Sequence, residues 1–283
     1  MKTSKLVLTA LAILATLSLV PLSSLSKETT SADTVVVSSK NMLLLNQEVT
    51  GESVAEVINK AAELDSKLPK GKPLYLVLNT PGGSVQSGLE LIEALKGLGR
   101  PINTVVMFAA SMGFQICQNL DTRYILKNGI LMSHRAAGEI QGQFGGPSPS
   151  QMESRYNFWL RRTVEMDEVT VARTKGKQTL KSYQEAYANE LWVTGDQALA
   201  GGYADTVTKL RCDASLNGVT THETSFLGMP VYYDLSNCPI NTSPINVRIG
   251  GTILPLSPSY SDHLKKEFLS NYVNNMTKVV DKL

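Results

Sequence analysis

Three short motifs place residues with catalytic chemistry in a telling order along this chain. Pro81-Gly82-Gly83 comes first, Ser111 follows within Ala109–Gly113, and His134 comes last. A serine hydroxyl at its ordinary pKa becomes a strong nucleophile only when a nearby base removes its proton, and histidine is the usual base. A glycine pair that ends a strand offers bare backbone N–H groups, which can stabilise a tetrahedral oxyanion. The order therefore predicts acyl transfer by a serine nucleophile.

Each motif by itself has a commoner structural explanation. A Pro-Gly-Gly triplet is usually only a turn, and Ala-Ala-Ser-Met-Gly suits a tightly packed helix start. A lone histidine after a strand is more often a core or surface residue than a base. The order and spacing of the three motifs make the catalytic interpretation the stronger one.

Apolar periodicity around the motifs predicts the elements that must position them. Strands and helices alternate, which indicates βα units and a largely parallel core sheet. The Pro81-Gly82-Gly83 turn ends one predicted strand, and Ser111 follows the next one. The elements predicted in this region are a helix at 53–64, a strand at 74–78, a helix at 85–95, a strand at 102–108 and a helix that begins near Ser111.

The pattern after Ser111 is less regular. Two short strands, 124–126 and 130–132, flank Asn128-Gly129, which is typical of a tight hairpin turn. The Gly/Pro/Ser-rich stretch 142–151 predicts a loop. The remaining predicted elements are a long helix at 152–174, a short helix at 196–201, strands at 231–235 and 245–256, and a terminal helix at 260–283.

Composition excludes several classes of protein. The chain has 283 residues, 42% of them hydrophobic and 18% charged, so it can bury a sizeable core and is not a disordered chain. Its formal net charge of +2 and the absence of a basic stripe in the sequence argue against nucleic acid as a partner. The sequence has no Cys-x-x-Cys motif or His/Cys cluster, so no metal and no cofactor are expected.

The first 26 residues carry the pattern of an export signal. Lys2 and Lys5 precede the uncharged, mostly apolar run 6–20, and a Ser-rich stretch follows. The run is shorter than the roughly 20 apolar residues that span a bilayer, although extension to Leu25 would allow an uncleaved anchor. We expect an exported chain, periplasmic or secreted, or one anchored by this segment, and a cytoplasmic location is less favoured. The Ser/Thr-rich stretch 27–40 is interpreted as a linker.

Cysteine usage agrees with export. Cys117 falls on a predicted buried helix, where it would serve as a small core residue. Cys212 and Cys238 remain by elimination, and they could form a disulfide in an oxidising compartment.

Five sequence blocks, taken together, indicate a known family. They are Leu78–Gly83, Ala109–Gly113, Met132–His134, Gly138–Gln143 and Trp192–Asp205. At these blocks the chain resembles the Clp protease proteolytic subunit (ClpP) family of serine peptidases, over roughly residues 40–210. The resemblance implies an α/β fold of the ClpP/crotonase type, a repeated βα spiral with a protruding long helix. Residues 41–210 would form the peptidase domain, and 211–283 would be a small C-terminal extension of strands and a terminal helix.

The resemblance assigns roles residue by residue. Ser111 would be the nucleophile that forms an acyl-enzyme, and His134 would be its general base. The backbone N–H groups of Gly83 and Met112 would form the oxyanion hole, and the Met112 N–H would gain from the helix dipole. The implied reaction is hydrolysis of peptide bonds through an acyl-enzyme.

The catalytic acid is where this sequence departs from the family pattern. The family usually has an aspartate two residues before an aromatic that matches Trp192, and here that position holds Glu190. Glutamate can orient an imidazole as aspartate does, with one more methylene to accommodate. An ordinary solvated carboxylate is the competing interpretation of Glu190. Two other carboxylates are less favoured, because Asp196 would cap the following helix and Asp167 would lie mid-helix.

The leading functional prediction is a serine endopeptidase of the Clp type that acts on polypeptides or short peptides. The resemblance implies a homo-oligomeric ring, and aromatic residues on several faces of the helix at 152–174 favour assembly. A Clp-type ATPase is an implied partner, but export would separate the chain from cytosolic ATP. Two alternatives stay open: a catalytically silent ClpP-like scaffold or ring subunit, and a crotonase-like acyl-CoA enzyme. The pair Ser111 and His134 argues against the second, since crotonases rely on carboxylates and thioester polarisation.

Overall fold

The fold of this chain is organised around one large sheet. The computed structural model describes residues 34–136, 149–226, 228–249 and, for the backbone, 252–254. Within these ranges the helices are α1 (Gly51–Lys67), α2 (Val85–Gly97), α3 (Met112–Asn119), α4 (Pro149–Arg173), α5 (Leu180–Tyr187) and α6 (Gly195–Gly201). The strands are β1 (Thr34–Val37), β2 (Met42–Leu45), β3 (Leu74–Thr80), β4 (Ile102–Ala110), β5 (Arg123–Ser133), β6 (Leu191–Thr194), β7 (Thr206–Cys212), β8 (Val219–Phe226), β9 (Met229–Ser236), β10 (Asn246–Ile249) and β11 (Thr252–Leu254).

Seven strands form the large sheet, in the order β1-β7-β5-β4-β3-β2, with β6 added to β5. The neighbours along that order are parallel, whereas β6 runs antiparallel to β5. Parallel neighbours need crossover connections, and α2 and α3 supply them between β3, β4 and β5. The prediction of an α/β fold with a largely parallel core sheet is confirmed.

Local sequence explains where the first helices begin. At the start of α1, Ser53 N–H donates to Thr50 Oγ1 at 3.2 Å, and Thr50 N–H donates to Ser53 Oγ at 2.9 Å, which is a capping box. Ser84 caps α2 by accepting from the Ser87 N–H at 3.2 Å. The apolar residues of α1 recur at helical spacing, and the buried ones are Val54, Val57, Ala61 and Leu64.

The main core lies between the helices and one face of the sheet. Alternate residues of β3 separate two apolar clusters, because Leu76 and Leu78 belong to the main core and Val77 belongs to a second cluster. The main core also contains Val106, Leu91, Ile92 and Phe114. Since β3 and β4 are parallel, the glycine turn after β3 and Ser111 after β4 lie at the same edge of a rigid sheet.

Strand β5 corrects the sequence prediction for residues 124–132. The hairpin turn predicted at Asn128-Gly129 is wrong, since a single strand runs through this region. The register of β5 against β4 shifts at this point, which marks a bulge. Gly129 suits the bulge because a Cβ on it would lie 2.6 Å from the Val106 carbonyl oxygen. Beyond the bulge, β5 continues to Ser133, the residue before His134.

The first strand corrects a second prediction. Residues 27–40 are interpreted above as a linker, but Thr34–Val37 belong to the sheet, because β1 pairs in parallel with β7. Val35 and Val37 are buried in the second apolar cluster. The signal in the sequence is the run of three valines, since β-branched residues favour strands.

Helix α4 has two contrasting halves. Its C-terminal half packs on the domain and buries Met166, Asp167 and Thr170. Nearly every residue of its N-terminal half is exposed, including the aromatic residues Tyr156 and Trp159. The predicted long helix is confirmed, and it begins a few residues earlier, inside the segment that was expected to be a loop.

The C-terminal extension forms a second sheet, which is antiparallel and has the order β11-β10-β9-β8. A single 3-10 turn, Ala214–Leu216, precedes it and buries Leu216 in the second apolar cluster. A disulfide joins Cys212, the last residue of β7, to Cys238, which follows β9. The terminal helix predicted at 260–283 lies outside the described residues.

The export signal predicted at 1–26 also lies outside the described residues. In the parts of the chain that the structure describes, no helix has both the length and the apolar character required to cross a membrane. The location of the chain therefore stays a prediction.

Candidate active site

Ser111 occupies the turn between β4 and α3 in an unusual backbone conformation. Its φ of 55° and ψ of −118° lie in a region that few non-glycine residues adopt, and such a residue costs about 1–3 kcal/mol. The Ser111 N–H donates to the Met132 carbonyl at 2.9 Å, which ties the turn to β5. The sharp turn presents the Ser111 side chain at the start of α3, as a nucleophile on a strand-to-helix turn requires.

His134 lies directly beside this serine. Its Nε2 atom is 2.7 Å from Ser111 Oγ, which is hydrogen-bonding distance. In the tautomer that carries its proton on Nδ1, Nε2 can accept the proton of the serine hydroxyl. Both side chains are half-buried. The structure thus brings together the nucleophile and the base that the sequence predicted, at a distance suited to proton transfer.

The glycine turn packs against Ser111 so closely that a side chain would not fit. A Cβ on Gly82 would lie 2.6 Å from Ser111 Cβ and 2.9 Å from Met112 N, and the φ of Gly82 is 94°. A Cβ on Gly83 would lie 2.5 Å from the Val49 carbonyl oxygen, and the φ of Gly83 is 142°. Only glycine allows both the backbone conformation and the close approach.

Two backbone donors beside the serine have no acceptor among the described residues. They are the N–H of Gly83 and the N–H of Met112, the first residue of α3. The first N–H groups of a helix have no intrahelical partner and carry the positive end of its dipole. The sequence predicts these two N–H groups as donors to an oxyanion at Ser111, and that role stays a prediction.

Glu190 stands one step beyond the last paired residues of β5 and β6. Ser133 pairs with Leu191, so continuing the register places Glu190 opposite His134. Its backbone is left-handed, with a φ of 67°. Its exposed carboxylate accepts a hydrogen bond at 3.0 Å from Trp192 Nε1, and no bond between this carboxylate and His134 exists within the described residues. Glu190 and His134 are thus the residues next to the last β5–β6 pair, and the Glu190 carboxylate is bonded to the indole of Trp192.

The two less favoured carboxylates both lie on helices. Asp196 lies in the first turn of α6, and the residue that caps this helix is Thr194, so the predicted capping role of Asp196 is wrong. Asp167 is mid-helix as predicted, and its carboxylate accepts from Tyr187 Oη at 2.6 Å and from Gln184 Nε2 at 3.0 Å. Burial raises the pKa of Asp167, and these hydrogen bonds oppose the rise only in part.

A buried ion pair joins β5 to neighbouring parts of the fold. Arg123, 1% exposed at the start of β5, donates from Nε and Nη2 to the two carboxylate oxygens of Asp205 at 3.0 and 2.9 Å. The same guanidinium donates to Gln118 Oε1 on α3 and to the Arg173 carbonyl on α4. Sequence reasoning missed this group, although an arginine directly before an apolar predicted strand is a signal that could have found it.

The free thiol near the serine does not compete with it. Cys117 lies on α3, fully buried, and its Sγ is 3.4 Å from Thr104 Oγ1. Burial raises the pKa of the Cys117 thiol to about 11. A thiol in this state is a structural core residue, as predicted. Among the described residues no cluster of His, Cys, Asp and Glu side chains could hold a metal ion.

Comparison with known proteins assigns the family. A family model described as Clp protease matches residues 26–211, which is well over half of the chain. The chain belongs to the Clp protease family. Its fold is accordingly the ClpP type that the five sequence blocks predicted, and the α/β sheet with its long helix α4 agrees with this fold.

Several curated relatives carry the same name. An ATP-dependent Clp protease proteolytic subunit of Streptococcus pyogenes serotype M1 is 28% identical over 169 residues, covering 59% of this chain and 83% of the relative. Proteins of the same name from Streptococcus equi subsp. equi and Streptococcus equi subsp. zooepidemicus match with the same identity and coverage. The C-terminal extension that begins after Cys212 lies outside the region that the Clp protease family model matches.

Proposed function

We propose that this chain is a serine endopeptidase of the Clp type. The observation that carries the proposal is the 2.7 Å hydrogen bond between Ser111 Oγ and His134 Nε2. The N–H groups of Gly83 and Met112, which have no acceptor in the described part of the chain, add to it. Membership of the Clp protease family supports peptide bonds as the substrate class. No other described pair of side chains combines a nucleophile, a base and oxyanion donors in this way.

The proposed mechanism uses these groups in sequence. His134 Nε2 takes the hydroxyl proton as Ser111 Oγ attacks the peptide carbonyl carbon. The oxyanion that forms is stabilised by the N–H groups of Gly83 and Met112. His134 then protonates the departing amine, and water hydrolyses the acyl-enzyme with His134 again as the base.

Glu190 is the proposed acid of the triad. A carboxylate behind the imidazole would hold its orientation and stabilise the imidazolium that forms during attack. The register between β5 and β6 supports this role, since Ser133, which precedes His134, pairs with Leu191, which follows Glu190. The indole of Trp192 binds Oε2 of Glu190, which leaves Oε1 as the atom that would reach the histidine.

Replacing Glu190 by glutamine is expected to lower kcat for peptide hydrolysis by roughly ten- to a hundredfold, less than the ~10⁴-fold typical of a buried triad aspartate, because an exposed carboxylate is better screened. Steady-state hydrolysis of a fluorogenic peptide would measure the effect. Glu185→Gln is the matched control, since Glu185 is an exposed carboxylate on the neighbouring helix α5. Equal activity of Glu190→Gln and wild type would show that Glu190 is not the acid.

Assembly and partners belong to the same proposal. The exposed half of α4, with Tyr156, Phe158 and Trp159 at 61%, 50% and 45% exposure, supports packing against other subunits in a homo-oligomeric ring. The substrates would be unfolded polypeptides or short peptides. If the chain is exported, it would work without a Clp-type ATPase, because that partner requires cytosolic ATP.

A second candidate is a catalytically silent ring subunit. The observation that favours it is the hydrogen bond from Trp192 to Glu190, because a carboxylate kept away from His134 would leave the imidazole without support. The two candidates differ in one property, the reactivity of the Ser111 hydroxyl.

Labelling with a fluorophosphonate probe tests that property. The wild-type chain is expected to be labelled at Ser111, as located by mass spectrometry of its peptides, because His134 activates the hydroxyl. Ser111→Ala and His134→Ala should not be labelled. A folded wild-type protein that takes up no probe would overturn the peptidase proposal and favour the silent subunit.

A further inference from the structure

Two buried hydroxyl groups form a hydrogen bond next to the candidate site, at the end of β5. Ser133 Oγ and Tyr183 Oη are 2.7 Å apart, and both residues are almost inaccessible to solvent, at 2% and 0%. Ser133 is the last residue of β5 and comes immediately before His134. Burial raises the pKa of the Tyr183 phenol, so it remains a neutral hydrogen-bonding group.

Tyr183 contacts two chain segments that carry proposed site residues, α3 and the end of β5, and its own helix leads to a third. Its ring stacks on Phe114 of α3, the helix that begins beside Ser111, with ring centroids 6.3 Å apart. Its hydroxyl binds the end of β5, next to His134. Its own helix, α5, ends at Tyr187, shortly before Glu190.

The position of His134 depends on what holds the end of β5. Two backbone contacts help to hold the end of β5. They are the hydrogen bond from the Ser111 N–H to the Met132 carbonyl and the pairing of Ser133 with Leu191. The contact between Ser133 and Tyr183 is a side-chain anchor on the core face of the strand. Because successive residues of an extended chain point to opposite sides, an anchored Ser133 fixes the direction in which the following side chain leaves the sheet.

We propose that Tyr183 is a positioning residue for His134, acting through the hydroxyl of Ser133. The inference rests on the proposed serine peptidase function. Tyr183 does not touch the reacting atoms. It holds the end of β5 against α3, so that His134 Nε2 stays within hydrogen-bonding distance of Ser111 Oγ.

The hydrogen-bond partners of the pair make the proposal testable by paired variants. Tyr183 Oη is the hydrogen-bond partner of Ser133 Oγ, at 2.7 Å. Ser133 Oγ has no second partner among the described residues. Tyr183→Phe therefore leaves a buried hydroxyl unsatisfied, whereas the double variant Tyr183→Phe/Ser133→Ala does not.

The experiment measures kcat, KM and unfolding stability for the full-length single and double variants. Tyr183→Phe is expected to lower kcat by roughly ten- to a hundredfold with little change in KM, since small displacements of a catalytic base are costly. The double variant should regain stability over Tyr183→Phe and keep the low kcat. The matched control is Tyr203→Phe, which removes a phenol from the same aromatic cluster and should retain wild-type kcat.

A purely structural role for Tyr183 predicts different results. In that case kcat would recover together with stability in the double variant, and this recovery would overturn the proposal. Wild-type kcat in folded Tyr183→Phe would overturn it as well.

A second measurement separates this proposal from the proposed function. Histidine-selective 13C labelling and NMR would follow the His134 ring, assigned by comparison with His134→Gln, in wild type and in Tyr183→Phe. Changed His134 ring resonances in Tyr183→Phe, with those of Tyr203→Phe unchanged, support positioning even if the wild type hydrolyses no peptide. Unchanged His134 resonances would overturn it, whatever the fluorophosphonate probe reports.

Discussion

Replacing Ser111 by alanine is expected to lower peptide hydrolysis by roughly 10⁴- to 10⁶-fold while the fold is retained, because the attacking oxygen is removed. His134→Ala should lose nearly as much, since the serine hydroxyl is then left without its base. The double variant should be little worse than either single one, because groups that act as a unit are not additive. Steady-state hydrolysis of a fluorogenic peptide and a long-time endpoint assay would measure these rates.

The control for this series is Ser66→Ala, which removes an exposed hydroxyl that binds a carbonyl of its own helix. It should retain wild-type activity. A Ser111→Ala protein with more than about a tenth of the wild-type rate would contradict the assignment of Ser111 as nucleophile, because no triad serine is dispensable to that degree.

Replacing Asp205 by asparagine is expected to destabilise the folded chain by about 3–5 kcal/mol, because the fully buried Arg123 guanidinium would lose its counter-ion. Arg123 also receives support from Gln118 and from the Arg173 carbonyl, and these neutral acceptors cannot replace a charge. Urea unfolding at pH 7 and matched protein concentration would measure the difference. The control is Lys175→Ala, which breaks an ion pair between the same Asp205 and a lysine that is 78% exposed, and it should cost less than about 1 kcal/mol.

The pH dependence of this contribution follows from the pKa of Asp205. Burial alone would raise this pKa, but the hydrogen bonds and charge of Arg123 outweigh it and hold the pKa of Asp205 well below its usual range. A carboxyl whose pKa is lower in the folded state stabilises the fold fully above its unfolded pKa, about 3.9, and loses this contribution as pH falls through the folded value. The difference in unfolding free energy between wild type and Asp205→Asn should therefore become smaller below about pH 4. If this difference in unfolding free energy were constant from pH 7 to pH 3, the ion pair would not be its cause.

Local sequence patterns predicted the elements around the site and much of the site itself. Helical spacing located α1 and α2, and apolar runs located β3 and β4, because an amphipathic face repeats with the period of its element. The glycine turn, Ser111 and His134 were found by their order. The positive φ of Ser111 was not predicted, since a serine gives no local sign of a conformation that its neighbours impose.

The contacts that sequence patterns do not predict join residues far apart in the chain. Ser133 and Tyr183 are separated by 50 positions, and Arg123 and Asp205 by 82. Periodicity describes one element at a time and carries no information on which elements meet. The Asn128-Gly129 pair was misread for the same reason, because a bulge and a hairpin share their preferred residues and differ in the strands beside them.

The disulfide between Cys212 and Cys238 determines how cleavage of the C-terminal extension would appear on a gel. It closes a loop with a sequence separation of 26, and strand β8, every residue of which is exposed, lies inside that loop. A peptide bond broken within β8 would leave two polypeptides joined by a covalent bond, so the nicked molecule would run as one band on a gel without reductant. The extension would stay fastened to the last strand of the central sheet after such a cut, and only reduction would release it.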